Sequence, residues 1–124
     1  MTSVEKVAFD LAVVPLLTRL EELYAEMDYA YERTAIQYGF ECTGCTDNCC
    51  LTRFYHYTYI EYIYLRRGFA ELARSRQAEI RSRAGKYVES LEQMESQSAY
   101  SPFRMMCPLN ESGLCILYSR RPMI

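Results

Sequence analysis

The sequence predicts a mostly α-helical fold, an antiparallel helical hairpin or small bundle with a cysteine-rich metal-binding loop and an irregular C-terminal tail that folds back onto the loop. Two observations favour this fold. Apolar residues recur at alternating intervals of three and four in two long stretches, which is the period of an amphipathic helix. The six cysteines lie outside those stretches, in two groups with turn-forming neighbours.

A chain of 124 residues has the length of one ordinary domain and can bury a core. Half of the residues are hydrophobic and about a quarter are charged, which is typical of globular proteins. We expect a single domain over residues 1–124. Its expected parts are an N-terminal helical part (1–39), a Cys-rich loop (40–57), a long helix (58–96) and a Cys-containing tail (97–124).

The charge pattern argues against two classes of partner. The net charge of −2 gives no reason to expect binding to nucleic acid or to an anionic membrane surface.

The N-terminal segment mixes Glu5 and Lys6 with apolar residues and lacks the features of a secretory signal. The apolar run 55–65 contains His56 and Glu61, so no membrane span is expected. We expect a cytoplasmic protein.

The first helix begins with a capping box, in which Thr2 and Glu5 can each satisfy a free backbone N–H of the other. Pro15 lacks the N–H that an internal helical bond needs. The sequence therefore predicts a short helix ending near Val13, followed by a longer one beginning at Pro15 or Leu16.

One stripe of the longer helix is apolar and aromatic. Its members are Leu17, Leu20, Tyr24, Met27, Tyr31, Thr34 and Tyr38. Residues at this spacing share one helix face, so we interpret the tyrosines as core or interface residues rather than as ligand-stacking or radical groups. Gly39 is expected to end the helix. The core should be rich in Tyr and Leu.

A second capping box, Thr58 to Glu61, predicts a helix that begins at Tyr59, with an interruption at Gly68. Its apolar stripe comprises Ala73, Gln77, Ile80, Ala84, Tyr87, Leu91 and Met94. The other faces carry the basic residues Arg74, Arg76, Arg81, Arg83 and Lys86. These bases alternate with glutamates, which is the pattern of a solvated helix face.

Four thiols fall within nine residues, at Cys42, Cys45, Cys49 and Cys50. Cytosolic thiols stay reduced, so metal ligation is favoured over disulfides or chance placement. A C-x2-C pair such as Cys42 and Cys45 can place two sulfurs on one ion. Cys49 and Cys50 are adjacent and their side chains diverge, so we expect only one of them to share that ion.

Cys107 and Cys115 can complete the site only if the tail folds back onto the loop. A metal bound by both groups would then cross-link distant segments, and a structural zinc contributes on the order of 10 kcal/mol. Six thiolates exceed the needs of one ion, which leaves a spare redox thiol, a cluster or a second ion open. His56 fits an ordinary hydrogen-bonded histidine better than a further ligand. The candidate metal ligands are Cys42, Cys45, Cys49, Cys50, Cys107 and Cys115.

The two cysteine segments share a spaced motif: Cys42-x2-Cys45-x3-Cys49-Cys50, then Cys107-Pro108, Cys115-x-Leu-Tyr118 and Arg121-Pro122. This motif resembles the YkgJ-like CxxCxxCC family of zinc- or iron-chelating proteins. The resemblance implies a small cysteine-cluster domain that binds zinc or iron. A related cluster occurs in the flagellin lysine N-methylase, where it is associated with an iron–sulfur centre.

Family members usually continue after the Arg-Pro with two residues, a further cysteine and an arginine, whereas this chain stops at Ile124. One ligand expected from the resemblance is therefore missing. Three explanations stay open: a fragment of a longer chain, a natural short form, or a site that is complete without that cysteine. The long charged helical region between the cysteine groups also departs from a catalytic domain and looks more like a scaffold.

These features favour a non-enzymatic metal-binding protein that coordinates zinc or iron, with the helices serving a protein partner or a homodimer. The alternative is an iron–sulfur or redox component of an enzyme, linked to protein methylation through the resemblance. Metal trafficking is a third hypothesis and would need labile, exposed thiolates. The sequence contains no Ser/His/Asp set, phosphate-binding glycine loop or paired carboxylates, so an enzyme is less expected.

Overall fold

The structure is a computed structural model that describes residues 1–41, 49–51, 58–97 and 105–122. It is mostly helical, as the sequence predicts, with a small two-stranded sheet. The chain divides into two compact units, Met1–Glu41 and Cys42–Ile124. The first unit contains one long helix, and the second contains the other helices, the sheet and the described cysteines.

The regular elements follow in chain order. They are α1 (Ser3–Tyr38), α2 (Tyr59–Glu71), α3 (Arg74–Ser96), β1 (Asn110–Glu111) and β2 (Leu114–Cys115). Two short 3-10 turns accompany them, Cys49–Leu51 before α2 and Tyr118–Arg120 after β2. The described part of the chain has no helix that is both long and apolar enough to cross a membrane.

Both predicted ends of α1 are confirmed. The N–H of Glu5 donates to Thr2 Oγ1 at 3.2 Å, and the N–H of Thr2 donates to Glu5 Oε2 at 2.6 Å, which completes the capping box. At the other end, Gly39 has φ 65°, a left-handed conformation that glycine adopts without a Cβ penalty. Its N–H donates to the carbonyl of Ile36 at 3.3 Å.

The predicted break near Pro15 is wrong, because α1 runs through the proline as one helix. A new helix starting at Pro15 would need a capping side chain just before it, and Val13 and Val14 cannot provide one. Continuity removes only one backbone donor, that of Pro15 itself. The Thr18 hydroxyl donates to the Val14 carbonyl at 3.1 Å in the turn that follows.

The apolar stripe of α1 lies in the core only over its first half. Three of its members are buried: Leu17, Leu20 and Tyr24. The remaining four are exposed: Met27, Tyr31, Thr34 and Tyr38. For Tyr31 and Tyr38 the core interpretation is wrong, and the interface interpretation stays a prediction.

The single long helix predicted after the cysteine loop is also wrong, because the chain breaks at Leu72 and Ala73 rather than at Gly68. Both residues adopt extended backbone angles, with ψ of 152° and 144°. The Gln77 side-chain amide donates to the carbonyls of Ala70 at 3.2 Å and Leu72 at 2.8 Å. This side chain satisfies acceptors that the end of α2 leaves without helical partners.

Helix α2 begins at Tyr59 as predicted, but its start lacks the predicted capping box. Thr58 has an extended backbone and makes no side-chain bond to a backbone N–H. Its hydroxyl donates instead to the carboxylate of Glu61, which is buried with 4% of its surface exposed. A buried carboxylate without hydrogen-bond donors costs more free energy than an uncapped helix end, because water can solvate the helix end.

The buried apolar side chains among the described residues agree with the predicted Tyr- and Leu-rich core. They are Leu17, Leu20 and Tyr24 in the first unit, and Tyr64, Ile80 and Leu117 in the second. Leu117 belongs to the C-terminal segment, so that segment contributes to the core of its unit.

We expect Pro15→Ala to raise the free energy of unfolding by about 2–3 kcal/mol, because alanine restores the backbone donor and removes the ring clash inside α1. Urea denaturation followed by circular dichroism measures this change. A proline at the first position of a separate helix would give the opposite result, since its replacement would be neutral or destabilising there.

Candidate metal centre

The structure describes three of the six candidate thiols. Cys50, Cys107 and Cys115 are each half-buried. Cys42, Cys45 and the possible extra ligand His56 lie outside the described residues, and of Cys49 only the backbone is described.

A backbone hydrogen bond joins the two cysteine groups. The N–H of Cys107 donates to the carbonyl of Cys50 at 2.8 Å. Cys50 lies in the 3-10 turn Cys49–Leu51, within the predicted Cys-rich loop, and Cys107 lies near the beginning of the described C-terminal segment. Residues far apart in the sequence are therefore neighbours at this point.

Cys107 opens a tight turn. The N–H of Asn110 donates to the Cys107 carbonyl at 2.9 Å, which closes a four-residue β-turn. Pro108 occupies the second position of that turn, where its fixed φ is favourable. The turn leads directly into β1.

A β-hairpin with a two-residue loop follows, in the segment for which the sequence predicts an irregular tail with a turn. Ser112 and Gly113 have φ of 53° and 86°, and positive φ at both loop positions is the signature of a type I′ turn. The strands pair Glu111 with Leu114 and Asn110 with Cys115. The predicted turn is present. The prediction of an irregular tail is wrong for residues 110–115, because strands β1 and β2 flank the turn.

The register places Asn110 and Cys115 side by side. The N–H of Ile116 donates to the Leu109 carbonyl at 2.9 Å, so the next pair along the ladder is hydrogen-bonded. Along an antiparallel ladder, hydrogen-bonded pairs alternate with non-hydrogen-bonded pairs. Asn110 and Cys115 therefore form a non-hydrogen-bonded pair, the kind in which the two side chains approach each other most closely. The Cβ atoms of such a pair are about 4.5–5.5 Å apart.

Two arginines of α3 hold the hairpin through one carboxylate. Glu111 accepts from Arg76 Nη2 at 2.6 Å and from Arg83 Nη2 at 2.9 Å. Arg83 also donates from Nε to the Pro108 carbonyl at 3.1 Å. The prediction of a purely solvated basic face is therefore wrong for these two residues. Their spacing of seven, which places them on one helix face, was the signal in the sequence, but it does not identify the partner.

The same contacts set the charge state of Glu111. The hydrogen bond from Arg83, and to a smaller extent the one from Arg76, lowers the pKa of its carboxyl below the ordinary value of 4.5. The ion pairs are partly exposed to water, which weakens each one. Their combined geometry still fixes one strand of the hairpin against α3.

A second attachment holds the chain after β2 against α2. A Cβ placed on Gly68 would lie 2.7 Å from Arg120 Cδ and 3.4 Å from Leu117 Cδ2, so only glycine fits without a shift. The Arg120 guanidinium lies 5.1 Å from the centre of the Tyr64 ring and 2.9 Å from a carboxylate oxygen of Glu71. These contacts fix the position of Arg120.

No three side chains of Cys, His, Asp or Glu in the described part of the chain are placed to hold an ion together. The side-chain nitrogen Nδ2 of Asn110, the residue paired with Cys115, is buried and lacks an acceptor among the described residues. A thiolate-bound metal centre fits that feature, because thiolate sulfur accepts hydrogen bonds.

The chain matches no protein-family model, no curated protein sequence and no solved structure. The resemblance to the YkgJ-like family therefore rests on the cysteine motif and stays a prediction.

We expect Glu111→Gln to lower the thermal unfolding temperature at neutral pH, because the two arginines lose an anionic partner. The Glu111 pKa is lowered in the folded state, so its contribution is fully present above about pH 4.5 and is lost as pH falls through the folded pKa. The difference between wild type and variant should shrink over that acidic range. Glu92→Gln, which changes an exposed carboxylate of α3, is the control. A difference that does not depend on pH would contradict the ion pairs of Glu111 with Arg76 and Arg83.

We expect Gly68→Ala to lower the free energy of unfolding by about 1 kcal/mol, because the overpacking against Arg120 exceeds the gain in helix propensity. Gly85→Ala is the matched control, since Gly85 lies in α3 with open space around it and should gain about 1 kcal/mol. Urea denaturation measures both changes. Equal gains in the two variants would show that the chain around Arg120 does not pack on α2.

Proposed function

We propose that this protein binds zinc or iron through clustered cysteine thiolates contributed by both cysteine groups. The observation that carries the proposal is the hydrogen bond from the Cys107 N–H to the Cys50 carbonyl at 2.8 Å. It brings the start of the second group to the end of the first. The adjoining turn and hairpin place Cys115 in the same part of the structure.

The proposed ligand set draws on both groups. The three described thiols do not form a three-ligand group with each other, so the proposal requires sulfurs from the Cys-rich segment as well. Cys42 and Cys45 have the C-x2-C spacing that suits one ion, and one thiol of the adjacent pair is added to them. Cys107 and Cys115 complete the set. Thiolate ligands select soft or borderline metals such as zinc and iron over magnesium or calcium.

A bound metal would supply a cross-link between the loop and the C-terminal segment. The chain's own residues prepare that link from one side, since α3 holds the hairpin through Glu111 and α2 holds the following segment through Arg120. Ligands that are held before binding lose less conformational entropy when the ion binds. The proposal places the protein in a reducing compartment such as the cytoplasm, because thiolates must stay reduced to bind.

A second candidate function is an iron–sulfur or redox component of an enzyme, linked to protein methylation through the family resemblance. The observation that favours it is the number of thiols, since six exceed the four ligands of a tetrahedral zinc site. Iron–sulfur clusters are likewise held by cysteine thiolates. The two candidates differ in metal and in colour.

We expect protein purified without oxygen to contain stoichiometric metal, measured by elemental analysis together with a visible absorption spectrum. Zinc without visible absorption supports the structural site. Iron with acid-labile sulfide and broad visible absorption supports the second candidate. Protein that holds neither metal and takes up neither on reconstitution contradicts both.

Cys45→Ser and Cys107→Ser should each lose most of the bound metal, because each removes a ligand from one side of the proposed cross-link. Thr43→Ala is the matched control in the same loop, since it changes a side chain between two cysteines and leaves every thiol in place. Metal content per chain and the temperature of unfolding are measured for all three. Unchanged metal in Cys107→Ser would exclude Cys107 from the ligand set and contradict the cross-link at that residue.

A further inference from the structure

The hairpin provides a hydrogen-bond partner for only one of the two polar atoms of the Asn110 side chain. Its oxygen Oδ1 accepts a hydrogen bond from the Gly113 N–H at 3.1 Å, which stabilises the turn. Its nitrogen Nδ2 is buried and has no acceptor in the described part of the chain. The turn uses only the amide oxygen and leaves the buried nitrogen without a partner, so turn formation alone leaves the amide half satisfied.

The position of Asn110 indicates where an acceptor would come from. Its backbone N–H is bonded to the Cys107 carbonyl at 2.9 Å, and its Cα is paired with that of Cys115. The Asn110 and Cys115 positions form the non-hydrogen-bonded pair described above, so both side chains project from the same face of the hairpin. The Asn110 side chain thus lies on the same face of the hairpin as the side chain of Cys115, one of the proposed metal ligands.

We propose that Asn110 is a positioning residue whose Nδ2–H donates a hydrogen bond to the Cys115 thiolate sulfur when that thiolate binds a metal. This inference rests on the proposed function, because it requires Cys115 to be a ligand. A hydrogen bond to the sulfur stabilises the charged form of the ligand and orients it toward the ion. It also gives a partner to the amide nitrogen, so burial of this donor is offset once the metal is bound.

The chemistry of the donor suits a thiolate. Nδ2 carries two hydrogens and no charge, so it stabilises a thiolate without competing for the metal as a carboxylate would. Outer hydrogen bonds of this kind typically change metal affinity by about 10–100-fold when they are removed. The expected loss from the Asn110 bond falls in that range.

The test uses the full chain loaded with Co(II), whose sulfur-to-metal charge-transfer bands report on the thiolate ligands. Asn110→Asp retains the oxygen that accepts from Gly113 and removes the donor. Asn110→Leu removes the donor without adding a charge. We expect both variants to shift the charge-transfer bands and to release cobalt to a chelator about 10–100-fold faster than wild type.

Ser112→Ala is the control, because it changes a hairpin residue outside the proposed hydrogen bond. It should leave the bands and the release rate unchanged. A role confined to the turn predicts a different pattern, in which Asn110→Leu loses only thermal stability and keeps the wild-type bands and release rate. That pattern would overturn the inference and leave the proposed function standing, whereas a wild-type protein that binds no cobalt and no zinc would overturn both.

Discussion

The two short strands at the C-terminal end are joined to α3 through Glu111, which accepts hydrogen bonds from Arg76 and Arg83. A two-stranded hairpin is marginally stable by itself in water, so its position depends on what it packs against. Arg83 bonds the Pro108 carbonyl as well, and this contact reaches the turn that begins at Cys107. The placement of the second cysteine group therefore depends on one carboxylate and two guanidinium groups.

Packing against α2 complements this polar attachment. Leu117 is buried with 6% of its surface exposed, and Gly68 provides the space for the close approach of Arg120. Cys115 follows Glu111 and precedes Leu117 and Arg120 in the sequence, so it is constrained on both sides. The helices α2 and α3 thus hold the C-terminal segment that carries two of the candidate ligands, Cys107 and Cys115.

Metal binding and folding would be coupled in such an arrangement. The ion–protein contacts would close a link between segments that the helices separate in sequence, and the free energy of binding would add to the stability of the second unit. Thiolate ligands concentrate negative charge, which requires hydrogen-bond donors around the sulfurs. The Asn110 amide, whose nitrogen has no acceptor among the described residues, is the donor that we propose for that charge.

The sequence by itself determined the helical class, the ends of α1 at Thr2 and Gly39, the start of α2, and the two groups of candidate ligands. These features depend on interactions between residues a few positions apart, or on spacing alone, so they can be inferred without the fold. The tertiary structure decided the break at Leu72, the pairing of Glu111 with α3, and the neighbourhood of Cys50 and Cys107. Each of these depends on side chains or strands that meet only after folding, which no local pattern encodes.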